Sequence, residues 1–216
     1  MASSGQALAT AGGTPSLPSF FLQPARRGLP ITIYEIALST VLSNDVIHRL
    51  QFEDWVPFHV ERVFLFFADP ENLPRIMPPA TATRIDRVRL VPPPSLPVSL
   101  PENFGQLAGA GSEFDTSFRI VPHLPLRTRW VARITEFEWN HHFADIQVKG
   151  PFRSWYHRHE MTAETREDHA GTVVRDRIEC DLGFGVLGDF GLRILSSQIE
   201  RTFRYRQRVL SQLLES

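Results

Sequence analysis

Residues 143–159, Phe143-Ala-Asp-Ile-Gln-Val-Lys-Gly-Pro-Phe-Arg-Ser-Trp-Tyr-His-Arg-His159, decide the fold. They read as two strands joined at a Lys149-Gly150-Pro151 corner. A strand sends alternate side chains to the same face. One face therefore carries Asp145 and Gln147, then Trp155, His157 and His159. Polar groups at every second position, set among bulky aromatics, describe the wall of a cavity that is part polar and part apolar.

Working outward, further strands are expected at 48–55, 83–91, 112–121, 127–137 and 172–182. The last alternates cleanly. Thr172, Val174, Asp176, Ile178, Cys180 and Leu182 lie on one side, and Val173, Arg175, Arg177, Glu179 and Asp181 on the other. Short turns between neighbours imply antiparallel hairpins. A short helix follows Pro57, with Val60, Val63, Phe64 and Phe67 on one face. Asp69-Pro70-Glu71 starts a second, because Asp69 can cap and Pro70 suits the first helical position; Pro78-Pro79 ends it. Residues 92–111 hold five prolines and three glycines. They form a loop, and are a candidate lid. Gly183-Phe-Gly-Val-Leu-Gly188 reads as a turn leading into a long helix over 188–214, striped by Leu192, Leu195, Ile199, Phe203, Leu210 and Leu213. Arg201, Arg204, Arg206 and Arg208 are placed largely off that stripe or at its margins.

The fold class is therefore α+β. A curved antiparallel sheet packs its apolar face on the long C-terminal helix, with two short helices after the first strand. Residues 1–44 form a low-complexity extension, expected to be partly disordered, and 45–216 the folded domain. The more apolar 31–43 stretch is a candidate arm for a homodimer.

With 216 residues, 42% of them hydrophobic, the chain supports one substantial core. A formal net charge of −1 gives no basis for nucleic-acid binding. No apolar run reaches the about 18 residues of a membrane span, and no signal peptide is evident, so a cytoplasmic protein is expected. Cys180 is the single cysteine and reads as buried and inert. Phosphate-binding loops, dinucleotide fingerprints and nucleophile elbows are missing from the sequence.

The order of elements, with Val63-Phe-Leu-Phe-Phe-Ala-Asp-Pro-Glu-Asn-Leu-Pro-Arg-Ile-Met-Pro78, Trp130-x-Ala-x-Ile-Thr135, the 143–159 stretch and Asp176, resembles the START/Bet v 1-like (SRPBCC) superfamily. Within it, the likeness is to the bacterial polyketide cyclase/dehydrase-like, ligand-binding branch. The resemblance spans about residues 48–210. It implies a helix-grip fold with a deep hydrophobic cavity between sheet and C-terminal helix.

The expected function is binding of a hydrophobic small molecule, lipid-, polyketide- or aromatic-like. The candidate contacts are Arg119, Trp130, Asp145, Gln147, Trp155, His157, His159, Asp176 and Phe203. Arg119 is the arginine to watch, since an inward guanidinium can hold a ligand carboxylate; Arg127, Arg129 and Arg133 read as outward charges. A buried Asp176 needs a partner, and a histidine is the natural one. His157 and His159, two apart on one face, could also ligate a metal with Asp145 or Asp176. The cavity-wall reading is preferred; no metal and no cofactor are assigned. Two alternatives remain open. One is a cyclase, aromatase or dehydratase using His157 or His159 with Asp145 or Asp176. The other is a protein-interaction module. The His141-His142 pair reads as solvated turn chemistry.

Overall fold

The computed structural model describes residues 47–94, 106–121, 124–181 and 185–215, and for 185–194 the backbone alone. The expectations for the 1–44 extension, the 31–43 arm and most of the proline-rich loop fall outside these residues.

Seven antiparallel strands form one curved sheet: β1 (His48–Val56), β2 (Arg84–Arg89), β3 (Glu113–Phe118), β4 (Thr128–Glu138), β5 (His142–Lys149), β6 (Ser154–Arg166) and β7 (His169–Asp181). Their spatial order is β1-β7-β6-β5-β4-β3-β2. Consecutive strands from β2 to β7 are hydrogen-bonded neighbours, and from β4 to β7 short turns join them. The β6–β7 hairpin turns on Glu167 and Asp168, both at positive φ (48° and 63°), the backbone of a two-residue turn matched to strand twist. The first strand closes on the last, with His48 opposite Cys180 and Val56 opposite Thr172.

Between β1 and β2 the chain crosses to the far edge through helix α1 (Val60–Ala68) and three 3-10 turns at Pro70–Asn72, Pro74–Ile76 and Pro79–Thr81. The expected second helix is thus broken into single turns. Asp69 does cap, its Oδ1 accepting from the Glu71 amide at 3.0 Å. Prolines at 74, 78 and 79 then prevent continuous helical hydrogen bonding. The C-terminal helix α2 runs Gly185–Glu215. It starts earlier than expected, so Gly185 and Gly188 lie in helix rather than in a turn.

The parity of β7 holds. Thr172, Val174, Asp176, Ile178 and Cys180 are all at most 2% exposed. Arg175 and Arg177, on the other face, pair with Glu53 at 2.7 Å and Glu160 at 3.2 Å. Arg129 and Arg133 likewise pair outward, with Asp115 and with Glu113. Arg127 instead donates to the carbonyls of Ser117 and Ala82, tying the start of β4 to the chain before β2.

The core has two centres. One joins Val63 and Phe64 of α1 to Phe143, Met161, Val174 and the end of α2 at Leu210 and Leu214. Phe64 is fully buried and meets Phe137 and Phe143 edge-on. The other gathers Phe52, Phe152, Ile178 and Cys180 around Phe203. Phe203 stacks on Phe52 with centroids 4.0 Å apart and planes 3° from parallel. Both centres clamp α2 toward the β1–β7 side of the sheet. The span between α2 and β3–β4 is left open.

Candidate functional site

That open span is a cavity of about 260 Å3. Leu195, Ile199 and Phe203 of α2 form one wall. Phe118, Trp130 and Trp155 form the other, the two indoles meeting edge-on at 5.0 Å. A smaller cavity of about 110 Å3 lies beneath α1 and the first 3-10 turn, and His159 borders both.

Strand pairing explains the polar end. Asp145 lies opposite His157 across β5–β6, and His159 opposite Asp176 across β6–β7. All four share the concave face, as the alternation requires. Nε2 of His157 is 3.1 Å from Asp176 Oδ1. Nδ1 of His159 is 2.6 Å from the same oxygen, although off the line needed for a hydrogen bond. Asp145 Oδ2 sits on the other side of the two rings, 3.7 Å from His157 Nδ1 and 3.9 Å from His159 Nε2. Phe143 stacks on His159 with centroids 4.4 Å apart and fixes its plane.

Arg206 of α2 closes the cluster. It is 8% exposed, makes a short ion pair with Asp176 and lies over the Phe203 ring at 4.3 Å. This corrects the expectation that Arg206 stands off the apolar stripe. It lies three residues after Phe203 and four before Leu210, on the stripe itself. That spacing was the signal in the sequence. A buried carboxylate demands a cation or donors, and Asp176 obtains both from Arg206 with the two imidazoles around it.

Burial dominates the titration of this cluster. It pushes Asp145 up to about 6, against the opposing pull of His157 and the Trp155 indole. It takes His157 down to about 4, with Asp145 pulling upward and Arg206 further downward. His159 falls well below its ordinary value through burial, His157 and Arg206. Both imidazoles are therefore neutral at pH 7. Arg206 is lowered by burial to about 9, partly restored by Asp54, and remains charged at neutral pH. Asp54, a β1 residue absent from the sequence reading, is itself raised by burial to about 6, against Arg206 first. Its position between Phe52 and Val56 on the inward face was a second available signal. Cys180, raised to about 12 by burial, is an inert thiol.

The remaining expected residues divide. Trp130, Trp155, Phe203 and Arg119 line the cavity. Gln147 does not. Its side chain brackets the corner after β5, donating to the Phe152 carbonyl at 2.7 Å and accepting from the Phe152 amide at 3.1 Å. A Cβ on Gly150 would come within 2.2 Å of Gln147 Oε1, which explains the glycine there. Asp176 lies behind the histidines, 1% exposed. His141 is exposed, as a turn residue should be, while the His142 ring is mostly covered between Glu136 and Glu138.

Arg119 is distinctive. Its amide donates to the Thr81 carbonyl at 2.7 Å, which fixes the backbone at the cavity edge. Its Nε is buried and has no hydrogen-bond partner among the described residues. Buried donors are almost always satisfied, so this one faces unfilled demand.

Among the described residues no helix is long and apolar enough to cross a membrane. No family model and no curated protein matches the sequence. Solved structures do match in fold. The Zhui aromatase/cyclase from Streptomyces sp. R1128 aligns at TM-score 0.53 and 13% identity, covering 78% of this chain and 94% of that one. TTHA0849 from Thermus thermophilus aligns at 0.51 and 14%, covering 77% and 97%. A START superfamily protein from Mycobacterium smegmatis aligns at 0.49 and 12%, covering 77% and 99%. At such identities the likeness is one of architecture: a curved antiparallel sheet with a long C-terminal helix, the helix-grip fold.

Proposed function

We propose that the protein binds a small amphipathic molecule, with an aromatic or aliphatic body and an acidic end, between the sheet and α2. The carrying observation is the unpartnered, buried Nε of Arg119 on the wall of a largely apolar cavity. The body lies against Trp130, Trp155 and Phe203, where burial contributes about 25 cal/mol per Å2 before association costs. The acidic end meets the Arg119 guanidinium, which can offer a carboxylate two parallel donors.

The test compares 2-naphthoate with uncharged naphthalene by calorimetric titration. Arg119→Leu is expected to weaken 2-naphthoate by about 10–100-fold, the range for a hydrogen bond to a charged group. Naphthalene is expected to change little. Equal effects on both ligands would contradict the anchoring role.

A second reading is favoured by one observation: the Asp145 carboxyl, raised by burial to about 6 beside the His157 ring, lies in the range suited to exchanging a proton near neutrality. In that reading the cavity performs cyclase- or dehydratase-type chemistry, with His157 or His159 as base. Turnover of a polyketone that vanishes in His157→Gln separates it from pure binding.

A further inference from the structure

We propose that Asp145, His157 and His159 bind a first-row divalent transition ion, of the zinc or ferrous class, on the cavity wall. One ligand atom from each residue lies within 4.8 Å of the other two. The carboxylate oxygen is 3.7 Å and 3.9 Å from the two facing nitrogens. An ion with bonds of about 2.0–2.2 Å holds its donors roughly 3–3.5 Å apart. For the two oxygen–nitrogen pairs a contraction of a few tenths of an ångström suffices, and the two nitrogens lie within 4.8 Å of each other.

The rest of the cluster is built as ligating histidines require. The second nitrogen of each ring faces Asp176. A carboxylate behind an imidazole fixes its tautomer and strengthens its donor lone pair. The hydrogen bond of His157 Nε2 to Asp176 turns the lone pair of its Nδ1 to the Asp145 side, and His159 presents Nε2 to the same carboxylate oxygen. Two lone pairs converging on a carboxylate oxygen call for a positive centre between them. Arg206 does not fill that role, because it pairs with Asp176 behind the rings.

Two imidazoles select transition ions over magnesium or calcium, which take oxygen ligands. Two histidines and one carboxylate on adjoining strands leave the remaining coordination positions open. All three residues line the cavity, so the open positions face its contents. This is the layout of a reactive site rather than a closed structural one. The site makes no use of Arg119, so it and the amphipathic-ligand reading stand or fall separately.

A surface trio, Glu138, His141 and His142, has comparable spacing and is a competing trap for ions. The experiment therefore starts from the full chain carrying His141→Ala and His142→Ala, stripped with chelator and dialysed. Cobalt(II) is titrated and followed by its visible absorption, and zinc is counted by mass spectrometry of the elements. The expected result is one ion per chain, with cobalt bands typical of nitrogen ligation and a raised melting temperature. Adding Asp145→Asn or His157→Gln should lower the affinity at least tenfold and remove the thermal shift. No uptake by the surface variant overturns the proposal, as does uptake that survives both cavity substitutions. If either cavity variant fails to fold, the surface variant's stoichiometry and cobalt spectrum alone decide the matter.

Discussion

Replacing Arg206 with leucine is expected to destabilise the protein by about 3–5 kcal/mol at pH 8. Asp176 is 1% exposed and is ion-paired with Arg206 in the interior. Leucine fills the space between Phe67 and Phe203 but leaves a buried carboxylate without its cation. The loss should depend on pH. His157 and His159 are both pushed down first by burial and also by Arg206, and in the variant they lose that repelling neighbour. Their folded pKa values rise in the variant. In the native protein the depressed histidines cost stability as pH falls below their unfolded value, and a smaller depression in the variant lessens that cost. The penalty should therefore be smaller at pH 5.5 than at pH 8. Pairing Arg206→Leu with Asp176→Asn should recover part of the loss, since the stranded charge is gone. Urea unfolding of the three variants at both pH values measures this. A penalty below about 1 kcal/mol, or one unaffected by Asp176→Asn, would show that the pair is not desolvated as described.

Filling the cavity should abolish binding without harming the fold. Ala132 lies on the inward face of β4, opposite Phe114 of β3, and lines the open span. Ala132→Trp projects an indole into the span that the described side chains line. Affinity for 2-naphthoate should fall at least 100-fold, about 2.7 kcal/mol. Stability should hold or rise, as cavity-filling substitutions often stabilise. Unchanged affinity would mean that the probe binds elsewhere. A strongly destabilised variant would mean that the span is filled or collapses in solution.

The strands were legible because their period of two survives in side chains that face opposite environments. Asp145, His157, His159 and Asp176 were placed on one face by counting alone, and the register brings them together. Gln147 obeyed the same parity yet turned to the corner, because Phe152 offers it both a donor and an acceptor. Parity assigns a face, not a partner. Arg206 was misplaced for a different reason. An arginine on a helix reads as solvated unless the neighbours one turn away on either side are checked, and here they are Phe203 and Leu210. The 3-10 turns between α1 and β2 were read as one helix because the Asp69-Pro70-Glu71 start outweighed the prolines that follow. The unpaired Nε of Arg119 depends on the chain near Thr81, far away in sequence, and no local pattern announces it.

The hollow between α2 and β3–β4 is the premise of the functional reading, and its occupant is the most direct evidence to seek. Native mass spectrometry of the full chain from its own host should show one small amphipathic molecule per chain, absent from Ala132→Trp prepared in the same way. A bare wild-type chain, indistinguishable in ligand content from that variant, would contradict it.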